Sequence, residues 1–139
     1  MTTSVLMMGC STDANTLKDG YYTAEDNVGS NGWYEFVTIY VKNNSITSVE
    51  YNAKDSSGFI KAWDMNYMRL MNAQRGTYPN DYTRSYASDF LEAQSTDGVD
   101  AITGATHSFH TFVQLANAAL TKAKAGDKTV ALVDVKHDE

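Results

Sequence analysis

The sequence predicts an α+β fold, an antiparallel sheet with helices packed against it in a single domain. Three observations carry that prediction. The β-branched and aromatic run Trp33 to Val41 is followed, across Asn43-Asn44, by a second run from Ile46, which together read as a hairpin. Three later segments space their apolar residues by three and four, as helices do. A length of 139 residues with 42% apolar content suffices for one buried core, and no linker, repeat or second domain interrupts it.

Taken in order, Tyr21 to Ala24 is a short strand closed by the polar stretch Glu25 to Gly32. In the strand Trp33 to Val41 one face carries Trp33, Val37, Ile39 and Val41, the other Tyr34, Phe36 and Tyr40. Asparagines tolerate positive φ, so Asn43-Asn44 is a tight turn into the strand Ile46 to Ala53. After the loop Lys54 to Gly58, the residues Ile60, Trp63, Tyr67, Leu70 and Met71 mark a helix that Gly76 stops, with Pro79 beyond its end. Asn80 or Asp81 then caps a helix through about Gln94, with Tyr82, Tyr86, Phe90 and Leu91 on one face. After the loop Ser95 to Thr103, a helix from near His107 carries Phe109, Phe112, Val113, Ala116 and Leu120 as far as Gly126. Thr129 to Val135 is the last strand.

A net charge of -6 and the lack of any basic stripe argue against nucleic acid as a partner. One cysteine, Cys10, excludes an internal disulfide and any CxxC pair. No stretch is long enough to span a bilayer as a helix. The run S-V-L-M-M-G-C-S-T-D resembles the end of a bacterial lipoprotein signal peptide, in which the cysteine is lipidated and becomes the mature N-terminus. Met7 and Met8 stand where leucine and a small residue are commoner, and no basic segment precedes the run. On this resemblance residues 1–18 are signal remnant and tether, Cys10 is the lipidation site, and 19–139 is the folded domain. Two or more acyl chains would hold such a protein stably on a membrane face.

The stretch D-A-I-T-G-A-T-H-S-F, Asp100 to Phe109, carries the chemistry and admits two readings. Thr103 or Thr106 caps the following helix, a contact worth about 1 kcal/mol. Alternatively a hydroxyl is presented at a helix N-terminus, whose unpaired N–H groups and partial positive charge suit a phosphate. Gly104 and Ala105 remove side-chain bulk there. The lysine of a P-loop is missing, and one glycine stands where a dinucleotide fingerprint needs three. His107 and His110 are two ligands without a third, so no metal site is expected. Ser108, His110 and Asp100 lack the elbow of a hydrolase nucleophile. Met65, Met68 and Met71 read as packing residues.

The segment Asp100 to Thr106 resembles the D-x-x-[S/T]-G-A-T signature of FMN-binding domains whose last threonine is covalently flavinylated. The stretches D-G-Y-Y-T-A-E, G-F-I-K-A-W-D-M-N-Y-M and G-T-Y-P-N-D-Y-T-R are similar to small lipoproteins of that group, some named major membrane immunogens, so the resemblance covers about Asp19 to Leu120. It implies FMN as cofactor, bonded as a phosphodiester to Thr106, with Asp100, Thr103, Gly104 and Ala105 recognising and presenting the acceptor. His107 and Ser108 beside the acceptor, and Gly58 in a loop near the ring, complete the expected cofactor-binding set. It implies as partners a Mg-dependent FAD:protein FMN transferase and a membrane redox partner or quinone-linked electron donor. The expected role is an extracytoplasmic, lipid-anchored electron carrier rather than an enzyme. A domain that binds flavin non-covalently, and a flavin-free surface lipoprotein acting as a binding module, are the alternatives.

Overall fold

The computed structural model describes residues 15–136. Cys10 and the apolar run before it lie outside the described residues. Three antiparallel strands, β1 (Gly20–Asp26), β2 (Tyr34–Lys42) and β3 (Ser45–Lys54), form the sheet expected from the hairpin pattern. Asn43 and Asn44 have φ of 53° and 62°, the paired left-handed conformation that matches the twist of a two-residue hairpin. A fourth strand, β4 (Ala131–Val133), is shorter than expected and pairs in parallel with β1, giving a mixed sheet in the order β3-β2-β1-β4. The α+β single-domain architecture holds.

The three helices are α1 (Met65–Arg75), α2 (Pro79–Ala93) and α3 (Thr106–Ala125). Helix α2 packs on β3, and α3 on β1 and β2. The covered sheet face carries Tyr22, Ala24, Val37, Ile39, Val41 and Tyr51, all buried. On α2 the buried stripe is Tyr82, Tyr86 and Phe90, and on α3 it is Phe112, Leu115, Ala116, Ala119 and Ala123. The opposite sheet face is open, with Tyr21 against Tyr40 at 4.5 Å between ring centroids and a Thr23–Thr38 hydroxyl contact of 2.8 Å.

Two helix expectations need correction. The segment predicted as helix from Phe59 opens instead with a 3-10 turn, Lys61–Trp63, and α1 begins only after Asp64. Asp64 is the reason: its Oδ1 accepts the Tyr67 N–H at 3.0 Å, a side-chain cap that fixes the start. Pro79 lies beyond the end of α1, as expected, and is also the first residue of α2, where its fixed φ and missing N–H cost nothing. The N-cap of α2 is therefore Tyr78, not Asn80 or Asp81. Gly76 does end α1, at φ 74°, and Gly126 ends α3 at φ 70°.

Candidate functional site

Helix α3 starts at Thr106, and its N-cap is Ala105, with no side-chain cap hydrogen bond. The capping roles expected of Thr103 and Thr106 are thus not taken up. An alanine methyl accepts nothing, and Thr106 already lies inside the helix, so its hydroxyl does not occupy the cap position. Thr103 and Thr106 are both exposed. The N–H groups of the first turn have no intrahelical partners, which leaves the partial positive charge of the helix facing outward beside an exposed hydroxyl.

The loop before Thr106 is held from beneath. Tyr86, fully buried on α2, donates its hydroxyl to the Ala105 carbonyl at 2.9 Å and accepts the Ile102 N–H at 3.0 Å. The Ala105 N–H donates to the Ile102 carbonyl at 2.9 Å, closing the turn. Gly104 has φ 91°, and a Cβ there would stand 2.6 Å from the Arg75 carbonyl oxygen at the end of α1. The small residue is required by that backbone approach, in addition to whatever it admits from outside. Loop, α1 end and α3 start are locked into one corner.

That corner borders a cavity of about 610 Å³, within the usual range for cofactor sites. Gly104, Ala105, His107 and Ser108 contribute to its wall from the loop and α3. Tyr67, Leu70, Met71, Gln74 and Arg75 of α1 form the facing wall, and α1 buries none of its residues. Tyr67, Leu70 and Met71, whose spacing marked the helix in the sequence, line this cavity. Trp33, Glu35 and Tyr82 complete the floor and sides with Lys61, whose Nζ lies 5.7 Å from the Trp33 ring centroid and 4.9 Å from that of Tyr67. A depression of about 700 Å³ near Thr96, Phe109, His110 and Lys136 is more open and takes in none of residues 103–108.

The chemistry of the lining fits FMN. Three aromatic side chains, Trp33, Tyr67 and Tyr82, offer faces or edges to a planar ring, and Lys61, Arg75 and His107 together with the α3 N-terminus suit a phosphate. Those residues would hold it. Of the expected set, Asp100 is exposed on the loop, with its N–H donating to Asp89 Oδ2 at 3.3 Å. Gly58 lies in a separate exposed turn organised by Asp55, whose Oδ1 accepts the Ser57 and Phe59 N–H groups, and it is not part of the cavity wall. Ser108 lines the cavity, and its carbonyl accepts the Tyr51 hydroxyl at 3.0 Å. No cluster of three or more His, Cys, Asp or Glu able to hold a metal occurs among the described residues.

Sequence reasoning passed over Glu35. The strand face read as Trp33, Val37, Ile39 and Val41 has Glu35 at the skipped position, so its parity points a carboxyl inward. Tyr51, opposite Val37 in the register and one diagonal step from Glu35, places its hydroxyl against Glu35 Oε1. Burial raises the Glu35 carboxyl to about 7, against the lowering pull of Tyr51 and Lys61 and with a further push from Asp26. Trp33, Lys61, Tyr67 and Arg75 were also missed as wall residues, because they converge from three separate segments.

The pattern of the family described as FMN-binding domain matches residues 31–121. The chain is 32% identical over 126 residues to a 15 kDa lipoprotein of Treponema pallidum (strain Nichols), covering 90% of this chain and 88% of that one. It also resembles a protein of Clostridium perfringens known from a crystal structure, at 34% identity and a TM-score of 0.82 over 86% of this chain and 99% of the other. Among the described residues, no helix is long and apolar enough to cross a membrane.

Proposed function

The chain belongs to the FMN-binding domain family and is a flavin-binding protein; on that footing we propose that its FMN is joined through phosphate to the Thr106 hydroxyl, and that it carries electrons between redox partners outside the cytoplasm. The observation that carries this is the uncapped N-terminus of α3, which leaves the exposed Thr106 beside the aromatic and cationic cavity. FMN supplies the electron chemistry that side chains lack. The chain's own residues would hold it: the first turn of α3 with Arg75 and His107 would face the phosphodiester, and Trp33, Tyr67 and Tyr82 would flank the ring.

A threonine hydroxyl is a weak nucleophile without an activating base, so activation is assigned to a Mg-dependent FAD:protein FMN transferase. In that step a bond forms from Thr106 Oγ1 to the FMN-side phosphorus of FAD, the pyrophosphate bond breaks, AMP leaves, and the hydroxyl proton passes to the transferase. Tyr86 and Gly104 hold the loop still enough to be recognised, with Asp100 and Thr103 exposed on its outer side. The Gly9-Cys10 run, and a relative named as a lipoprotein, support a lipid anchor at Cys10 and a membrane redox partner or quinone-linked donor.

Intact mass after co-expression with the transferase tests the acceptor. The expected increment is one FMN less water, lost in Thr106→Ala. An unmodified wild-type chain, beside a second substrate that the same transferase does modify, would overturn the covalent attachment.

A further inference from the structure

Glu35 has no part in attaching a phosphate, yet it stands on the inward face of β2 in line with Val37, Ile39 and Val41, all fully buried. A carboxyl in that place must be satisfied locally. Its partner is Tyr51, whose hydroxyl contacts Glu35 Oε1 and also lies 3.0 Å from the Ser108 carbonyl oxygen. A phenol has one proton to donate. With Glu35 ionised, the half-buried carboxylate and the Ser108 carbonyl, which as part of α3 also serves the helix, share that single proton. With Glu35 protonated, the carboxyl donates to Tyr51 Oη and Tyr51 donates to Ser108, so every group in the chain is satisfied. The geometry thus offers Glu35 a place for a proton, with the Tyr51 oxygen as its acceptor.

The surrounding charges agree. From β1, Asp26 is buried on the same sheet face and raises the Glu35 carboxyl, while Lys61 of the 3-10 turn lowers it. Tyr82 of α2, Tyr67 and Arg75 of α1, and His107 of α3 face Glu35 across the cavity or along its wall. Burial outweighs the stabilising partners and sets the group at about 7. Burial and then Glu35 push the Tyr51 hydroxyl well up, so it stays protonated and can relay a proton without losing its own.

We propose that Glu35 is the proton-exchange group of this cavity, with Tyr51 coupling its protonation state to the Ser108 carbonyl, two residues along α3 from Thr106. The coupling to redox change rests on the flavin reading above. With FMN held there, two electrons arriving from the donor protein would draw one proton from the Glu35 carboxyl and leave it a carboxylate. When the electrons depart to the acceptor, the proton returns. The proton that accompanies the electrons would then come from the cavity wall itself, which Glu35 lines.

Two measurements test this, the first without any flavin. Side-chain carboxyl NMR of the flavin-free protein should show one Glu signal titrating near 7, absent in Glu35→Gln. If every Glu signal titrates in the ordinary range near 4.5 and none near 7, the proposal is overturned, and this needs no variant to fold. The second follows the midpoint potential of the flavin-loaded protein against pH. Wild type should change slope around pH 7 and Glu35→Gln should not. Identical profiles would overturn the coupling while leaving the flavin site standing. A chain that takes up no flavin, seen by mass, would overturn the flavin reading and the coupling with it, and the flavin-free titration would still decide the protonation of Glu35.

Discussion

Tyr86 commits its hydroxyl to the loop that ends at Thr106, accepting from Ile102 N–H and donating to Ala105 C=O. Its ring is packed among Tyr82, Phe109 and Phe112, with centroids 6.1, 5.8 and 6.0 Å away. Tyr86→Phe keeps that packing and removes only the oxygen, leaving the part-buried Ile102 N–H without its partner while the Ala105 carbonyl keeps the Phe109 N–H at 3.0 Å. The expected loss is about 1–3 kcal/mol in urea unfolding. A change of only a few tenths would mean that water replaces the hydroxyl and that the loop is not held from beneath. The sequence placed Tyr86 on a buried helical face, which periodicity can do. It could not give the hydroxyl's partners, which lie sixteen and nineteen residues away in an irregular loop. Glu35 differs: strand parity alone set it inward, and its omission came from reading the apolar members of the face and not the polar one.

Helix α1 shows where periodicity misleads at the scale of an element. Spacings of three and four predicted a helix correctly, but the same spacing cannot say whether the stripe meets a core or a cavity. Leu70 is 62% exposed, and no residue of α1 is buried, whereas α3 buries six. Its ends are well defined, by the Asp64 cap and by Gly76, so α1 is a properly terminated helix with little tertiary support. Helices take most of their stability from packing, so α1 should open locally far more often than α3. Hydrogen exchange should find the α1 amides at least about tenfold less protected than those of α3. Filling the cavity with FMN gives Tyr67, Leu70 and Met71 something to pack on, and their protection should rise. Equal protection in α1 and α3 without flavin would contradict a weakly supported wall. The cap of α2, expected at Asn80 or Asp81, failed for a related reason. A proline both follows helices and begins them, and only the extended Tyr78 before it decides which.

For the whole molecule, the inward carboxyl of Glu35 turns pH into a stability variable. Glu35 is raised from 4.5 to about 7 in the folded chain, first by burial. A raised carboxyl binds its proton more tightly folded than unfolded. Its stabilising effect is therefore complete below about 4.5 and is lost as pH climbs through about 7. Across that window the slope is at most about 1.4 kcal/mol per pH unit, and above it the contribution is flat. The exposed carboxyls of Asp55 and Asp127 work in the other direction. Hydrogen bonds hold both below their ordinary 3.8, so what they contribute disappears only as pH falls lower still. The two effects occupy different pH ranges, and a single variant separates them. Unfolding free energy measured by urea from pH 4.5 to 8 should fall for the wild type between about 4.5 and 7 relative to Glu35→Gln, with parallel curves above. The difference isolates what the Glu35 carboxyl contributes, because every other ionisable group is common to both proteins. Curves that run parallel throughout would mean that the carboxyl is as well solvated folded as unfolded. The inward parity of β2 would then have no electrostatic consequence for this fold.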